Sequence, residues 1–475
     1  MGLKLADAQS PIASEPEKVA IAGANRASMF DDSSLYLSEM QPMESVRKRA
    51  AKNTEPKEEA PLGSPCIYGH EVHQIDPSLL DRDAIWTVSQ LRQAGHEAYL
   101  VGGSVRDLLL AILPKDYDIS TSAQPEEIKQ LFGRRCILIG RRFRLAHLRF
   151  GRKIIEVATF RSGDQEQEEL IVHDNAWGSA EEDVMRRDFT INGLLYDPER
   201  QLVIDYVGGW ADLRQRTLAT IGKPEARFKQ DPVRMIRLLK FQARLGFSIA
   251  DESQKALENS LAEIHKSSSA RLLEELLRML ESGASAPFFR LLADVGMLEL
   301  LMPCLHRFQL GSGREQLYAF LAAADQLNSG RERGPLDRTL LTSCLLFPIV
   351  ESELRSRYLE TGETPHLGDI LLLTQQVTDA VMTSSFSHFP RRISTTMNLI
   401  LAIQWRMTPF SGKKRHQPKM MRTKEFALAL QFLKLRSLVD PLLEPLYRSW
   451  KEAYLEQKRQ SERLGHQRHP PPEPK

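Results

Sequence analysis

At 475 residues the chain is too long for one ordinary domain and is expected to fold as two to four. A formal net charge of only +2 spreads no global field, so any nucleic-acid surface must be local. Four scattered cysteines (Cys66, Cys136, Cys304, Cys344) lack metal spacing, no apolar run nears the ~20 residues of a membrane span, and the amino terminus lacks a secretory leader, so a cytoplasmic protein with no membrane partner is expected.

Residues 1–75 are rich in Ala, Ser, Pro, Glu and Lys and poor in aromatics, a composition that predicts disorder, with order beginning near Asp76. From Asp83 to Ala94 apolar residues recur at helical spacing, and Gly95 is a stop. An apolar strand, Ala98 to Val101, ends at Gly102-Gly103. An amphipathic segment follows from Ser104 to Leu113, closed by Pro114, and a second strand, Lys115 to Ile119, carries Asp116 and Asp118. Carboxylates spaced i, i+2 on a strand share one face. The two glycines allow a phosphate chain to approach the backbone, and the following helix offers free N–H groups to an anion. A phosphate cradle beside paired carboxylates is what metal-assisted nucleotidyl transfer requires.

Beyond this run, Gln124 to Phe132 reads as a helix, and Cys136 to Ile139 and Lys153 to Phe160 as strands. Between them, Gly140 to Gly151 alternates basic and apolar residues and places Arg141, Arg142, Arg144 and His147 near the carboxylate-bearing sheet edge. Glu156 interrupts an apolar strand and is either a third metal carboxylate or a solvated strand edge. Asp188, in Arg186-Arg187-Asp188-Phe189-Thr190-Ile191-Asn192, is the other candidate third acid, or a helix cap. The pattern predicts an α+β head with a mixed sheet over residues 76–222. An all-α neck (223–285) and body (286–436) follow, then a helical end and charged flexible tail (437–475). In the neck, Asp231 and Arg234 are placed on one helix face, as a surface salt bridge or as a pair able to read an adenine edge. From Arg391 to Lys424 the chain holds nine Lys or Arg and no acid, interleaved with Trp405 and Phe410, as a solvated face or an RNA-backbone surface.

The run GGSVRD…DYD resembles the signature of the nucleotidyltransferase superfamily, in the form held by bacterial poly(A) polymerases and CCA-adding enzymes. RRDFTIN and QDPVRMIR strengthen the resemblance, which covers most of Asp76 to Arg436. It implies a template-independent adenylyltransferase that joins AMP from ATP to RNA 3′ ends. Asp116, Asp118 and Asp188 would be catalytic, with Asp116, Asp118 and Glu156 around Mg²⁺ (Mn²⁺ as the alternative). Gly102, Gly103, Arg106, Arg187, Asn192, Asp231 and Arg234 would bind the nucleotide, and Arg391, Arg392, Lys413, Lys414 and Arg415 the RNA. The family usually carries Glu where this chain has Gln230, which weakens the hold on Arg234 and makes base selection less secure. The segment Gly140 to Gly151 resembles poly(A) polymerases more than CCA-adding enzymes. The one His-Asp pair, His173-Asp174, lies in the catalytic half, so no HD hydrolase domain is expected. CCA addition to tRNA and a catalytically silent RNA-binding protein are the rival readings. The sequence identifies no RNA-decay or RNA-chaperone partner.

Overall fold

The computed structural model describes residues 64–140, 144–162, 176–329, 331, 334–360, 362–408 and 418–468. Eight strands form the head: β1 (Cys66–Tyr68), β2 (Ala98–Val101), β3 (Asp118–Thr121), β4 (Cys136–Ile139), β5 (Leu145–Phe150), β6 (Lys153–Thr159), β7 (Leu194–Asp197) and β8 (Leu202–Asp205). Their order across the sheet is β1-β8-β7-β2-β3-β6-β5-β4. Only β3 and β6 run parallel; every other neighbouring pair is antiparallel. This is the mixed sheet that the interleaved strand and helix signals predict.

Alternation sets the two faces. In β6, Ile155 and Val157 are buried while Ile154 and Glu156 are exposed. The helices Arg82–Gln93 and Pro125–Phe132 cover the apolar face with Ala84, Val88, Leu91, Ile128 and Phe132. Asp81 caps the first of these through the N–H groups of Asp83 and Ala84.

Three boundaries differ from the sequence reading. Order begins before Asp76, because Cys66–Tyr68 pairs with β8 and adds an edge strand; residues 1–63 lie outside the described residues. The helix after Gly102 spans only Gly103–Leu109. It ends where Ala111 turns left-handed (φ +56°) and its N–H bonds the Leu108 carbonyl, while the Ile112 N–H bonds that of Asp107, well before Pro114. Strand β3 starts at Asp118, where pairing with Val101 begins, so Asp116 sits in the preceding bend.

Helix dominates after Lys223. Pro224–Gln230, Val233–Leu245 and Ser269–Leu280 build the neck, with one two-residue strand, Ser248–Ile249, pairing back to Thr217–Leu218. The body packs Arg314–Asn328, Arg338–Leu354, Arg391–Met407 and Lys424–Val439 around Phe320, Phe347 and Phe432. The expected flexible tail is helical as far as Arg468, as part of Glu444–Arg468. Buried Trp450, which packs on Phe426 and donates to the Met407 carbonyl, fastens that helix to the body.

Candidate active site

Register brings acids from separate strands into one row. Asp118 lies opposite Val101 on one side and Glu156 on the other, and Glu156 lies opposite His147. Asp118 is half-buried, and its pKa is pushed up to about 6. Burial is the main cause; Glu156 and Asp116 raise it further against the pull of Arg187. Exposed Asp116 is thus close enough to repel Asp118 from the bend. Glu156 is half exposed, with Oε1 3.3 Å from His147 Nε2. Among the described residues no three His, Cys, Asp or Glu already converge on one metal position. The donor set is all carboxylate and its members repel one another, which suits a divalent oxygen-seeking cation.

Beside this row stands Arg187. Gly102 has φ +70° and ψ −130°, a conformation that favours glycine, and a Cβ there would come 3.1 Å from an Arg187 guanidinium nitrogen. Gly103 opens the following helix. Arg187 Nη2 donates to Ser120 Oγ at 3.1 Å and to Asp183 Oδ2 at 2.9 Å. Ser120 shares the strand face of Asp118, so Arg187 is held against the carboxylate row.

The Arg106 guanidinium lies behind the glycine turn, 3.6 Å from where a Cβ on Gly103 would stand. It is buried, donates to Asp107 and to Asn192 Oδ1 (2.7 Å), and lies over the Phe241 ring. Asn192 in turn donates to Asp188 Oδ1 at 3.1 Å, and Arg237 pairs with Asp188 Oδ2 at 2.8 Å. Burial alone would raise the Asp188 pKa. Arg237, Asn192, Arg234 and the Phe189 N–H outweigh it and hold the group ionised below the usual carboxylate range. Asp188 is therefore the anchor of a buried polar chain, and the acid aligned with Asp118 is Glu156.

At the neck, Pro232 separates two helices, so Asp231 closes Pro224–Gln230 and Arg234 sits in the first turn of Val233–Leu245. The two do not share one helix, yet the Arg234 N–H bonds the Asp231 carbonyl at 3.0 Å. Arg271 pairs with Asp231 Oδ2. Gln230 accepts from Arg227 at 3.1 Å. Arg227 and Arg234 also donate to the head, to the carbonyls of Met185 and Arg187 and of Arg186 respectively. The pKa of Arg186 and of Arg227 is lowered to about 10, chiefly by burial and in part by neighbouring arginines. Such a crowd of mutually repelling guanidiniums is an environment that a polyphosphate would relieve.

Arg391 and Arg392 are exposed at the start of Arg391–Met407. Lys413, Lys414 and Arg415 lie outside the described residues, as do Arg141, Arg142, Phe410 and His173-Asp174. Trp405 is buried and stacks on Phe347, with Arg436 over both rings, so it belongs to the body core and offers no base platform. Sequence reasoning missed Asp183, Arg227 and Arg237. Two carried a usable signal: Asp183, on the helix Ala180–Met185, stands four residues before Arg187 just past its end, and Arg237 stands three after Arg234.

The sheet and helical neck match solved nucleotidyltransferases. A Bacillus stearothermophilus CCA-adding enzyme in complex with CTP aligns with TM-score 0.53 and 24% identity over 79% of this chain and 82% of that one. A tRNA nucleotidyltransferase complexed with a primer tRNA and an incoming ATP analog aligns with TM-score 0.53 and 23% identity over 79% and 99%. The fold is that of these nucleotidyltransferases. Residues 98–219 match the family described as "Poly A polymerase head domain", 246–309 "Probable RNA and SrmB- binding site of polymerase A", and 374–475 "Polymerase A arginine-rich C-terminus". Poly(A) polymerase I of Escherichia coli O6:H1 is 34% identical over 402 residues, 81% of this chain and 85% of that protein. The Haemophilus influenzae poly(A) polymerase I is 39% identical over 283 residues, 58% and 62% of the two chains. A Geobacillus kaustophilus CCA-adding enzyme is 35% identical over 228 residues, 48% and 56%. The chain belongs to the poly(A) polymerase I family.

Proposed function

We propose that the chain lengthens RNA 3′ ends with AMP drawn from ATP. The RNA 3′-oxygen bonds to the α-phosphorus in line, the bond to the β-phosphate oxygen breaks, and pyrophosphate leaves while the hydroxyl proton passes to solvent. Asp116, Asp118 and Glu156 would hold Mg²⁺, with Mn²⁺ as the alternative; when bound, the metal neutralises charge on the attacking and leaving oxygens. Arg187, fixed by Ser120 and Asp183 beside Gly102, meets the phosphates. Arg106 and Asn192 are positioning residues that orient Asp188. Asp231 and Arg234 read the adenine edge, Asp231 accepting from the amino group and Arg234 donating to N1. Arg391 and Arg392, with Lys413, Lys414 and Arg415, contact the RNA backbone, and residues 246–309 supply the surface for RNA and for a helper protein.

The observation that carries this reading is the register that seats Asp118 between Glu156 and the Gly102 turn, with Arg187 over it. Asp116→Asn and Asp118→Asn test it. Each should leave the circular dichroism melt in place and lower AMP incorporation on the order of 10²-fold or more, the scale of losing an electrostatic partner of a transition state. Near-normal incorporation by either folded variant would contradict it.

A further inference from the structure

The carboxylate row does not end at Glu156. Strand pairing carries it on to His147 on β5, and from there to Ile137 on β4. His147 therefore stands on the sheet face that bears Asp118 and Glu156, with a carboxylate opposite it on one neighbouring strand and an aliphatic side chain on the other. Its Nε2 lies 3.3 Å from Glu156 Oε1, and its side chain is 18% exposed against 49% for the glutamate. A mostly covered imidazole thus meets an open carboxylate. Among the described residues His147 is the only side chain paired with Glu156. Asp118 and Glu156 repel each other, so an unheld glutamate on this open face would turn away and leave the row. Strands lie about 4.8 Å apart, which sets His147 about 10 Å across the sheet from Asp118, and its influence on the row passes through Glu156. The other end of the row is braced too, by Arg187, which Ser120 and Asp183 hold beside Asp118.

We propose that His147 is a positioning residue of the cation site: its ring nitrogen holds one oxygen of Glu156 and leaves the other free for the divalent ion. The proposal rests on the adenylyl-transfer reading above, in which Glu156 is a metal ligand. Carboxylates that ligate metals are oriented by such outer partners, and losing one weakens a metal site roughly 10- to 100-fold. An imidazole suits the task, because it lacks the permanent positive charge with which a guanidinium would oppose a cation. Ile137 closes the far side of the ring, so Glu156 is the polar neighbour that its strand pairing supplies.

The test compares the full chain with two variants. His147→Leu keeps an apolar neighbour for Ile137 and removes the ring nitrogens, whereas His147→Gln restores a donor. Binding of Mn²⁺ alone, without nucleotide or RNA, is read from the electron spin resonance signal of the free ion. His147→Leu should raise the Kd for Mn²⁺ about tenfold, and His147→Gln should return it to within about twofold of wild type. In transfer assays the Mg²⁺ concentration giving half the maximal rate should rise by about the same factor in His147→Leu, with the KM for RNA unchanged. In a Glu156→Gln background His147→Leu should add no further loss, because the imidazole then has no carboxylate to hold. If the leucine variant does not fold, His147→Ala gives the same comparison. An unchanged Kd for Mn²⁺ in the folded variant overturns the proposal, as does a loss of equal size in the Glu156→Gln background. Failure of the wild-type chain to join AMP to RNA would instead strike the adenylyl-transfer reading.

Discussion

Ala111 occupies a position that favours glycine: it is left-handed, with the two backbone bonds of a helix-ending motif closing around it. Ala111→Gly should therefore stabilise the protein by about 1 kcal/mol, the left-handed strain relieved less the extra flexibility glycine gives the unfolded chain. A raised denaturation midpoint checks this. Asp188 makes a different prediction. Asp188→Asn should cost ~2 kcal/mol at neutral pH, less than the ~3–5 kcal/mol of a fully buried broken pair because Arg237 is 39% exposed. Its folded pKa lies below the usual 3.8, so the ionised group's contribution is complete above that value and is lost as pH falls through the folded pKa. The stability gap between wild type and variant should shrink on acidification below about pH 4; a gap independent of pH would contradict the ion pair. Residue types at this scale were legible, but partners were not. Nothing in the neighbours of Arg106 in sequence announces that Asn192, 86 positions away, will accept from its guanidinium.

Among elements, the strands and helices of the head follow from alternation and caps, and the corrections fall where tertiary pairing sets an end. Lys115 to Tyr117 has the composition of a strand, yet the ladder begins only where Val101 can pair with Asp118. The helix Arg391–Met407 shows the same limit. Its basic start and its Trp405 read as one RNA surface, but seven buried neighbours on the same helix, from Met397 to Met407, turn that face inward. Trp405 stacks on Phe347 at 5.9 Å and supports Arg436, whose pKa burial lowers to about 10. Trp405→Ala should cost ~3–5 kcal/mol of body stability. Thermal melts paired with RNA titration check it. A loss of RNA affinity with an unchanged melt would return Trp405 to the binding surface.

At the scale of the whole molecule, the neck is fastened to the head through backbone carbonyls. Arg227 and Arg234 reach Met185, Arg186 and Arg187, so the residues proposed to read the base are tied to the strand–turn that holds Asp188. The motifs were readable as separate runs; their junction was not, because it depends on two arginines meeting carbonyls some 40 positions away. The same junction sets what the site can select. Adenine reading by Asp231 and Arg234 requires Arg234 to stay buried and oriented, and its guanidinium is held by the carbonyls of Arg186 in the head and of Arg227 in the neck. The most direct measurement is incorporation of each labelled nucleoside triphosphate, supplied singly with Mg²⁺, into a generic RNA 3′ end by the full chain. Repeated AMP addition from ATP alone, with CTP, GTP and UTP used poorly, is the expected result. Efficient CMP addition from CTP alone, or no transfer from ATP, would contradict it.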